Sequence, residues 1–409
     1  MGAIAATTLA GVGLAGCGGS TTAGAGAQPA TSSSPIVICE VAATSGPFVQ
    51  LGKTDELGAS AWAKMVNAKG GLLGRKVKLV KENDQSKPSA AVSAMRKCVT
   101  QDHANFIFGP EETTTAVAGL PVANSLKTVT LGWQSGWNAL KMSNAAKHGY
   151  AFPGIGNVFH ADDQAMVNFV IARRHYTRVA VIEDNTAGGL GNATYTAGVC
   201  KGKGCQVVAK QVTTPGATDD TPEALKLLAA HPQAIVLGMT PGPDTITAIK
   251  AIRAQNPTIP IGECSGCTIP SFISAAGGPT GMKDVYLIGS PGQLASSTPK
   301  TKANQAGIND TKAYLAAMRA AGDTSANDIN DASEGWDTGR ELAAAIKKAG
   351  STKEAAVRTA LAHQTIVVGG LQAYYFQRTP QNYGNITRIV SAMATVKPDG
   401  SLKVYAAGG

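Results

Sequence analysis

From residue 35 onward, short apolar runs alternate with longer stretches in which apolar residues recur every three or four positions. PIVICEVAA at 35–43 reads as a buried strand, and GASAWAKMVNAKGG at 58–71 as an amphipathic helix opened by glycine and closed by Gly70 and Gly71. KVKLVKEND then reads as a strand, PSAAVSAMRKCVTQD as a helix beginning at a proline, ANFIFGP as a strand, TTTAVAGLPVANSL as a helix and TVTLGW as a strand. After a loop-rich stretch the cycle restarts. A helix is expected at 161–175, a strand at 178–184, a helix near 191–201, the strand CQVVAKQVT, the helix TPEALKLLAA, the strand AIVLGM, the helix PDTITAIKAIRAQ and the strand PIGE. Helices at 302–321 and 331–349, then strands near 364–376 and 386–396, must join one of these two cycles.

Regular strand–helix alternation predicts an α/β fold with mostly parallel sheets covered by helices on both faces, here as two Rossmann-like units of similar size. Such sheets place ligands beyond the carboxyl ends of their strands. The residues to inspect therefore follow FIFG, TLGW, VIED, VLGM and PIGE.

Composition sharpens this picture. A chain of 409 residues is long enough for two lobes. Its 44% hydrophobic and 15% charged content is that of a globular protein. The net charge of +9 is scattered, and its densest group, GRKVKLVK at 74–81, alternates basic and apolar residues as an edge strand does. With no aromatic–basic stripe or finger motif, nucleic acid is excluded as a partner, whereas an anionic membrane surface or ligand is compatible with the charge. After Cys17 no apolar run approaches the roughly 20 residues a membrane span needs.

Residues 2–16, GAIAATTLAGVGLAG, form an apolar segment too short and glycine-rich to span a bilayer. Its end, LAGC at Leu14–Cys17, resembles the bacterial lipobox, in which the cysteine is lipidated and becomes the first mature residue. That resemblance implies a signal peptide over 1–17 and a membrane anchor at Cys17, although no Lys or Arg follows Met1. The competing reading, a buried thiol in a glycine-rich loop, finds no core periodicity around it. Residues 18–34 read as a flexible Gly/Ser/Thr tether.

Six further cysteines, Cys39, Cys98, Cys200, Cys205, Cys264 and Cys267, are an even number, as disulfides in an exported chain require. Proximity along the chain pairs Cys200 with Cys205 and Cys264 with Cys267, leaving Cys39 with Cys98; this is one arrangement among roughly 15 possible. CSGC at 264–267 also admits a redox dithiol or half of a zinc site. A lone C-x-x-C without a second pair or a nearby His is weak for metal, and a structural disulfide is the favoured reading. No G-x-S-x-G, H-E-x-x-H or Walker loop is present, and the six His stand apart. No enzyme, cofactor or metal is expected.

The stretch TSGPFVQLGKTDELGASAWAKMVNAKGGLLGRKVKLVKEND carries a specific resemblance. Ser45-Gly46-Pro47 after the first strand, Asn67-Ala68-Lys69-Gly70-Gly71 at the helix end and Asn83-Asp84 after the second strand, with Pro88 following, resemble the leucine/isoleucine/valine-binding family of ABC-importer solute-binding proteins. The resemblance in order and spacing runs from about residue 35 to the carboxyl terminus. It implies a type I periplasmic binding protein clamshell with a three-segment hinge near 155–158, 289–292 and 377–384. The amino-terminal lobe would comprise 35–156 and 291–378, and the carboxyl-terminal lobe 157–290 and 379–409.

The same resemblance implies that the first lobe holds a ligand carboxylate at a helix start, here Thr113 and Thr114 in GPEETTT, and in the loop GWQSGW, with Trp133, Gln134 and Ser135. For the threonines, helix capping is the alternative role; for Trp133, a ligand platform is set against packing in its own lobe. Glu111 and Glu112 would repel an anion if they pointed inward. The second lobe would contribute Gly188 in the glycine-rich NTAGGLG, where the family has a tyrosine, together with Thr240 and Glu263. Leu51 stands where amino-acid binders carry a cleft aromatic. The implied function is capture of an amino acid or related small carboxylate in the interlobe cleft and delivery to an ABC permease and its ATPase subunits. An aromatic acid or amide-type solute, or a sensor role on the same fold, are the alternatives. The protein is expected as an extracytoplasmic, lipid-anchored monomer.

Overall fold

The computed structural model describes residues 34–133, 149–153, 167–169, 174–239, 242–265, 267–268, 270–289, 305–320, 332–367, 374–379, 383, 386–389 and 392–405. Strands β1 (Ile36–Ala42), β2 (Val77–Asn83), β3 (Phe106–Phe108), β4 (Thr130–Gly132) and β5 (Ala151–Pro153) form one sheet in the order β2-β1-β3-β4-β5. Every pairing in it is parallel. Helices α1 (Val49–Ala68), α2 (Pro88–Thr100) and α3 (Thr113–Leu126) connect the strands. β1 shows why both faces are covered. Ile36, Ile38 and Ala42 enter a core with Ala59, Trp62 and Trp336, while Cys39 and Val41 enter another with Met95, Cys98 and Leu120. Alternating side chains of a strand face opposite sides, and here both sides are apolar.

Helix α1 begins nine residues before the expected start at 58. Gly58, read as its opening, lies inside the helix, and an earlier glycine has the packing role: a Cβ on Gly52 would stand 2.4 Å from the Ala43 carbonyl oxygen, so glycine lets the first turn lie directly on the end of β1. β2 is an edge strand, as its basic–apolar alternation implies, and Lys81 in it bonds Glu56 of α1 at 2.7 Å.

The second sheet collects β6 (Arg178–Asp184), β7 (Gln206–Thr213), β8 (Ala234–Gly238), β9 (Ile261–Ser265) and β10 (Val285–Gly289), again all parallel. Helices α4 (Asn192–Lys201), α5 (Thr221–Ala229), α6 (Pro243–Gln255), α7 (Pro270–Ala275) and α8 (Gly278–Gly281) accompany them. Ile182, Leu237, Ile249, Ile252, Ile261 and Leu287 pack in one core, and Val179, Val181, Val236, Tyr286 and Ile288 in the other.

The chain then returns to the first sheet with α9 (Gln305–Ala320), α10 (Ala332–Ala349) and α11 (Glu354–Ala362). Their Tyr314, Trp336, Ile346 and Leu361 complete the core that contains Trp62. Helix α10 lies flush on α1 because of two glycines four residues apart. A Cβ on Gly335 would stand 2.0 Å from the Asp55 carbonyl oxygen, and one on Gly339 2.2 Å from the Trp62 ring. Three short strands, β11 (Thr365–Val367), β12 (Tyr374–Gln377) and β13 (Ile386–Ile389), make a separate antiparallel sheet. Finally β14 (Ala392–Val396) and β15 (Leu402–Tyr405) extend the second sheet, antiparallel, to give β15-β14-β10-β9-β8-β6-β7.

Of the three expected crossings, 155–158 and 290–292 lie outside the described residues. In the third, Arg378 and Tyr383 dock on the first lobe: Tyr383 stacks on Phe152 with ring centroids 4.4 Å apart, and Arg378 forms a fully buried ion pair with Glu341 of α10. Burial lowers the Arg378 guanidinium from its usual range to about 9. Among the described residues no helix is long and apolar enough to cross a membrane.

Two disulfides are closed among the described residues. Cys39–Cys98 ties β1 to α2 across 59 residues, and Cys200–Cys205 closes a five-residue turn between α4 and β7. Cys267 is buried, but the side chain of Cys264 lies outside the described residues, and with it the expected Cys264–Cys267 pair. Loop-closure entropy makes the long bridge the more stabilising. In non-reducing urea unfolding, the double substitution Cys39→Ala/Cys98→Ala is expected to cost about 4 kcal/mol, against about 2 kcal/mol for Cys200→Ala/Cys205→Ala.

Candidate functional site at the carboxyl ends of the two sheets

The two sheets share one strand order. β2-β1-β3-β4-β5 in the first is matched by β7-β6-β8-β9-β10 in the second. In each, the chain steps to one side of its first strand and then to the other, so the connections after β1 and β3, and after β6 and β8, leave on opposite faces. That divergence opens a crevice beyond the carboxyl ends of those strands, the place where open α/β sheets bind ligands.

From the first lobe, the crevice receives the start of α3. Its first turn has backbone N–H groups without helical partners and the positive end of the helix dipole. These are filled by the chain's own carboxylate. Glu112, not a threonine, is the N-cap residue: its Oε2 accepts from the Thr114 and Thr115 N–H groups at 2.7 and 3.2 Å, and its Oε1 accepts from the Thr114 hydroxyl at 3.0 Å. Thr113 and Thr115 are buried behind it. Burial pushes the Glu112 carboxyl up to about 7; its hydrogen bonds from Thr114 and Thr115 oppose the rise, and the charge of Asp184 in the second lobe adds to it.

From the second lobe comes the loop that follows β6. Asp184 Oδ1 accepts from the Thr186 N–H and hydroxyl at 3.0 and 2.5 Å, and the Gly189 N–H donates to Thr186 Oγ1 at 2.9 Å. This tight turn presents Ala187 and Gly188 to the first lobe. The Ala187 N–H donates to Thr114 Oγ1 at 3.1 Å, joining the lobes. A Cβ on Gly188 would lie 3.0 Å from Thr113 Oγ1, so glycine at 188 leaves room for the Thr113 side chain. Behind the loop, Asn192 donates from Nδ2 to the carbonyls of Gly189 and Gly238 at 3.0 and 3.1 Å, tying the ends of β6 and β8 together.

The structure therefore brings together Thr113, Thr114 and Gly188. Leu51 sits apart from them, buried with Ala43 and Phe48 over the start of α1. Phe48 is an aromatic directly after Pro47, one that the sequence reading passed over in favour of position 51. Trp133 is fully buried in the first-lobe core that also holds Leu131 and Phe152. Gln134, Ser135, Thr240 and Cys17 lie outside the described residues, as does the side chain of Glu263, whose backbone belongs to β9. The residues missed were Glu112 as the cap, Asp184, Ala187 and Asn192. Preferred N-caps are Ser, Thr, Asp and Asn, so a Glu before three threonines gave no capping signal. Contacts across two lobes leave no local pattern at all.

The sequence profile of the periplasmic binding protein family matches residues 35–400. The chain belongs to the periplasmic binding protein family. Its relatives include an amino acid binding protein of Pseudomonas aeruginosa, 25% identical over 62% of this chain and 66% of that protein. A Leu/Ile/Val-binding protein of Rhizobium johnstonii is 30% identical over 45% of this chain and 49% of its own. The alignments thus span about half to two thirds of these curated relatives. Among solved structures, an extracellular ligand-binding receptor from Rhodopseudomonas palustris superposes with a TM-score of 0.77 at 18% identity, covering 91% of this chain and 100% of that one. A type 1 periplasmic binding protein from Bordetella pertussis gives a TM-score of 0.75 at 18% identity, over 91% and 100%. The fold of this binding protein is therefore that of the type I members.

The capped carboxylate has a measurable consequence. In the folded binding protein Glu112 holds its proton up to about pH 7, whereas unfolding returns it to its ordinary value of 4.5. Its contribution to stability is complete below pH 4.5 and is lost as pH rises through 7. Urea unfolding between pH 4.5 and 8 should show wild type losing roughly 3 kcal/mol more than Glu112→Gln over that interval. Parallel pH profiles of the two proteins would contradict the assignment.

Proposed function

We propose that this binding protein captures a small solute between its two lobes on the outer side of the membrane and hands it to the permease of an ABC importer. The observation that carries the proposal is the contact of Thr114 with Ala187, which joins the lobes where both sheets have their crevices. Lobes of 35–156 with 291–378, and 157–290 with 379–409, are supported by the return of α9–α11 to the first sheet and of β14 and β15 to the second. Three chain crossings between them then act as the hinge of a clamshell, and solute binding favours the closed arrangement by its differential affinity for it. No bond is made or broken.

Export is supported by the two disulfides, which persist in oxidising compartments. With the apolar segment ending at Cys17 and the tether after it, the mature protein is a lipid-anchored monomer near its permease. The names of the relatives support an amino acid or related small carboxylate as solute. One observation favours the amide-type alternative: the N–H groups that would hold a carboxylate are already bonded to Glu112.

Small-angle scattering and thermal shift, on purified protein titrated with the proteinogenic amino acids, phenylacetate and short amides, test the proposal. A binding solute should shrink the radius of gyration and, at about 100 times its Kd, add roughly 2.7 kcal/mol of stability. Thr114→Val, which removes the interlobe acceptor, should weaken that solute about fivefold, the equivalent of one hydrogen bond. Binding without compaction, and with Thr114→Val unaltered, would refute closure.

A further inference from the structure

We infer that Glu112 is a specificity-determining residue that turns the cleft away from carboxylates and toward solutes whose polar end carries N–H donors, an amide or an ammonium. The inference rests on the interlobe solute reading and names the chemical class that this cleft accepts.

A carboxylate at the start of α3 would need donors. The Thr114 N–H, the Thr115 N–H and the Thr114 hydroxyl all point to Glu112 already, at 2.7, 3.2 and 3.0 Å. Glu112 is 5% exposed, so above about pH 7, where it is ionised, its charge is poorly screened and a second anion within about 4 Å is strongly repelled. To bind there, a carboxylate must displace Glu112 from its cap and leave it buried without those bonds.

The surroundings repeat the same sign. Asp84 at the end of β2, Glu111 before α3 and Asp184 at the end of β6 are each at most 2% exposed. Asp184 acts on the carboxyl of Glu112 from the opposite lobe and on that of Asp244 in the first turn of α6. In a chain of net charge +9, acids gather at the carboxyl ends of the strands.

Asn192 supplies an independent sign. It is 1% exposed, and its Nδ2 is held by the carbonyls of Gly189 and Gly238. Its Oδ1 accepts from no donor among the described residues. A buried acceptor without a donor, beside the loop that meets Thr113 and Thr114, calls for an N–H or O–H from a guest. Acceptors therefore come from both lobes: the carboxylate of Glu112 from the first, and the carboxylate of Asp184 with the amide oxygen of Asn192 behind its loop from the second.

Two matched series test the inference by calorimetry at a pH above about 7, where Glu112 is ionised: L-leucine against L-leucinamide, and phenylacetate against phenylacetamide and phenethylamine. The amide or amine of the series that binds should bind at least tenfold tighter than its carboxylate. Glu112→Ala should narrow or invert that ratio by tenfold or more. Glu112→Gln, which keeps the cap without the charge, should weaken phenethylamine while sparing phenylacetamide, and circular dichroism establishes that both variants fold. Carboxylates that bind wild type as tightly as their amides, or a ratio unmoved in both variants, would overturn the inference while leaving the solute cleft intact. If no compound of either series or of the amino-acid panel binds, the cleft reading itself fails and takes this inference with it.

Discussion

Backbone N–H groups at the start of a buried helix must find acceptors, and in α3 the acceptor is Glu112. Much of what is distinctive here follows from that one cap. It orients the Thr114 hydroxyl so that its oxygen is free to accept from Ala187 of the other lobe, and it fills the positive end of the helix with a charge belonging to the chain. It also sets a buried carboxylate close enough to Asp184 of the other lobe to be raised by its charge.

Close approaches at glycines shape the scaffold that presents this cap. Gly52 lets α1 rest on β1, Gly335 and Gly339 let α10 rest on α1, and Gly188 lets the second lobe reach Thr113. At Gly52 and Gly335 a single added methyl would force backbones apart, and at Gly339 it would strike the Trp62 ring, because cores packed to crystal-like density have little room to yield. The buried Arg378–Glu341 pair and the Phe152–Tyr383 stack fasten a late segment of the chain to the first lobe in the same economical way. Breaking one partner of such a buried pair leaves an uncompensated charge, so the pair fixes position even where its net contribution is small.

Most elements were legible from period alone. The boundaries of α3 and α6 agree with the sequence reading to the residue, because Thr-rich or Pro-led starts and clear apolar spacing mark them. β5, of three residues, was hidden in a loop-rich stretch, since Ala-Phe-Pro is too short to show alternation. The early turns of α1 were missed because Gly52 and Gly58 look like breaks, whereas the packing against Ala43 makes the first of them a requirement of the helix. At the crevice, the sequence reading named the threonines and Gly188, which the structure brings close together, but it took Glu112 for a source of repulsion and not for the cap of α3.

The sequence by itself determined the α/β alternation, the two units, the family and the neighbourhood of the cleft, because these depend on local period and on motifs within a few tens of residues. Only the tertiary structure decided that Glu112 caps α3, that Ala187 and Gly188 meet Thr114 and Thr113, and that Asn192 joins the ends of β6 and β8. The first is a choice among local acceptors, and the others are contacts between segments distant in sequence. A hydrogen-bond donor in a buried site is satisfied by whichever acceptor the packing brings within 3 Å or so, and residues some 70 positions apart reach each other only when two sheets have set their carboxyl ends face to face.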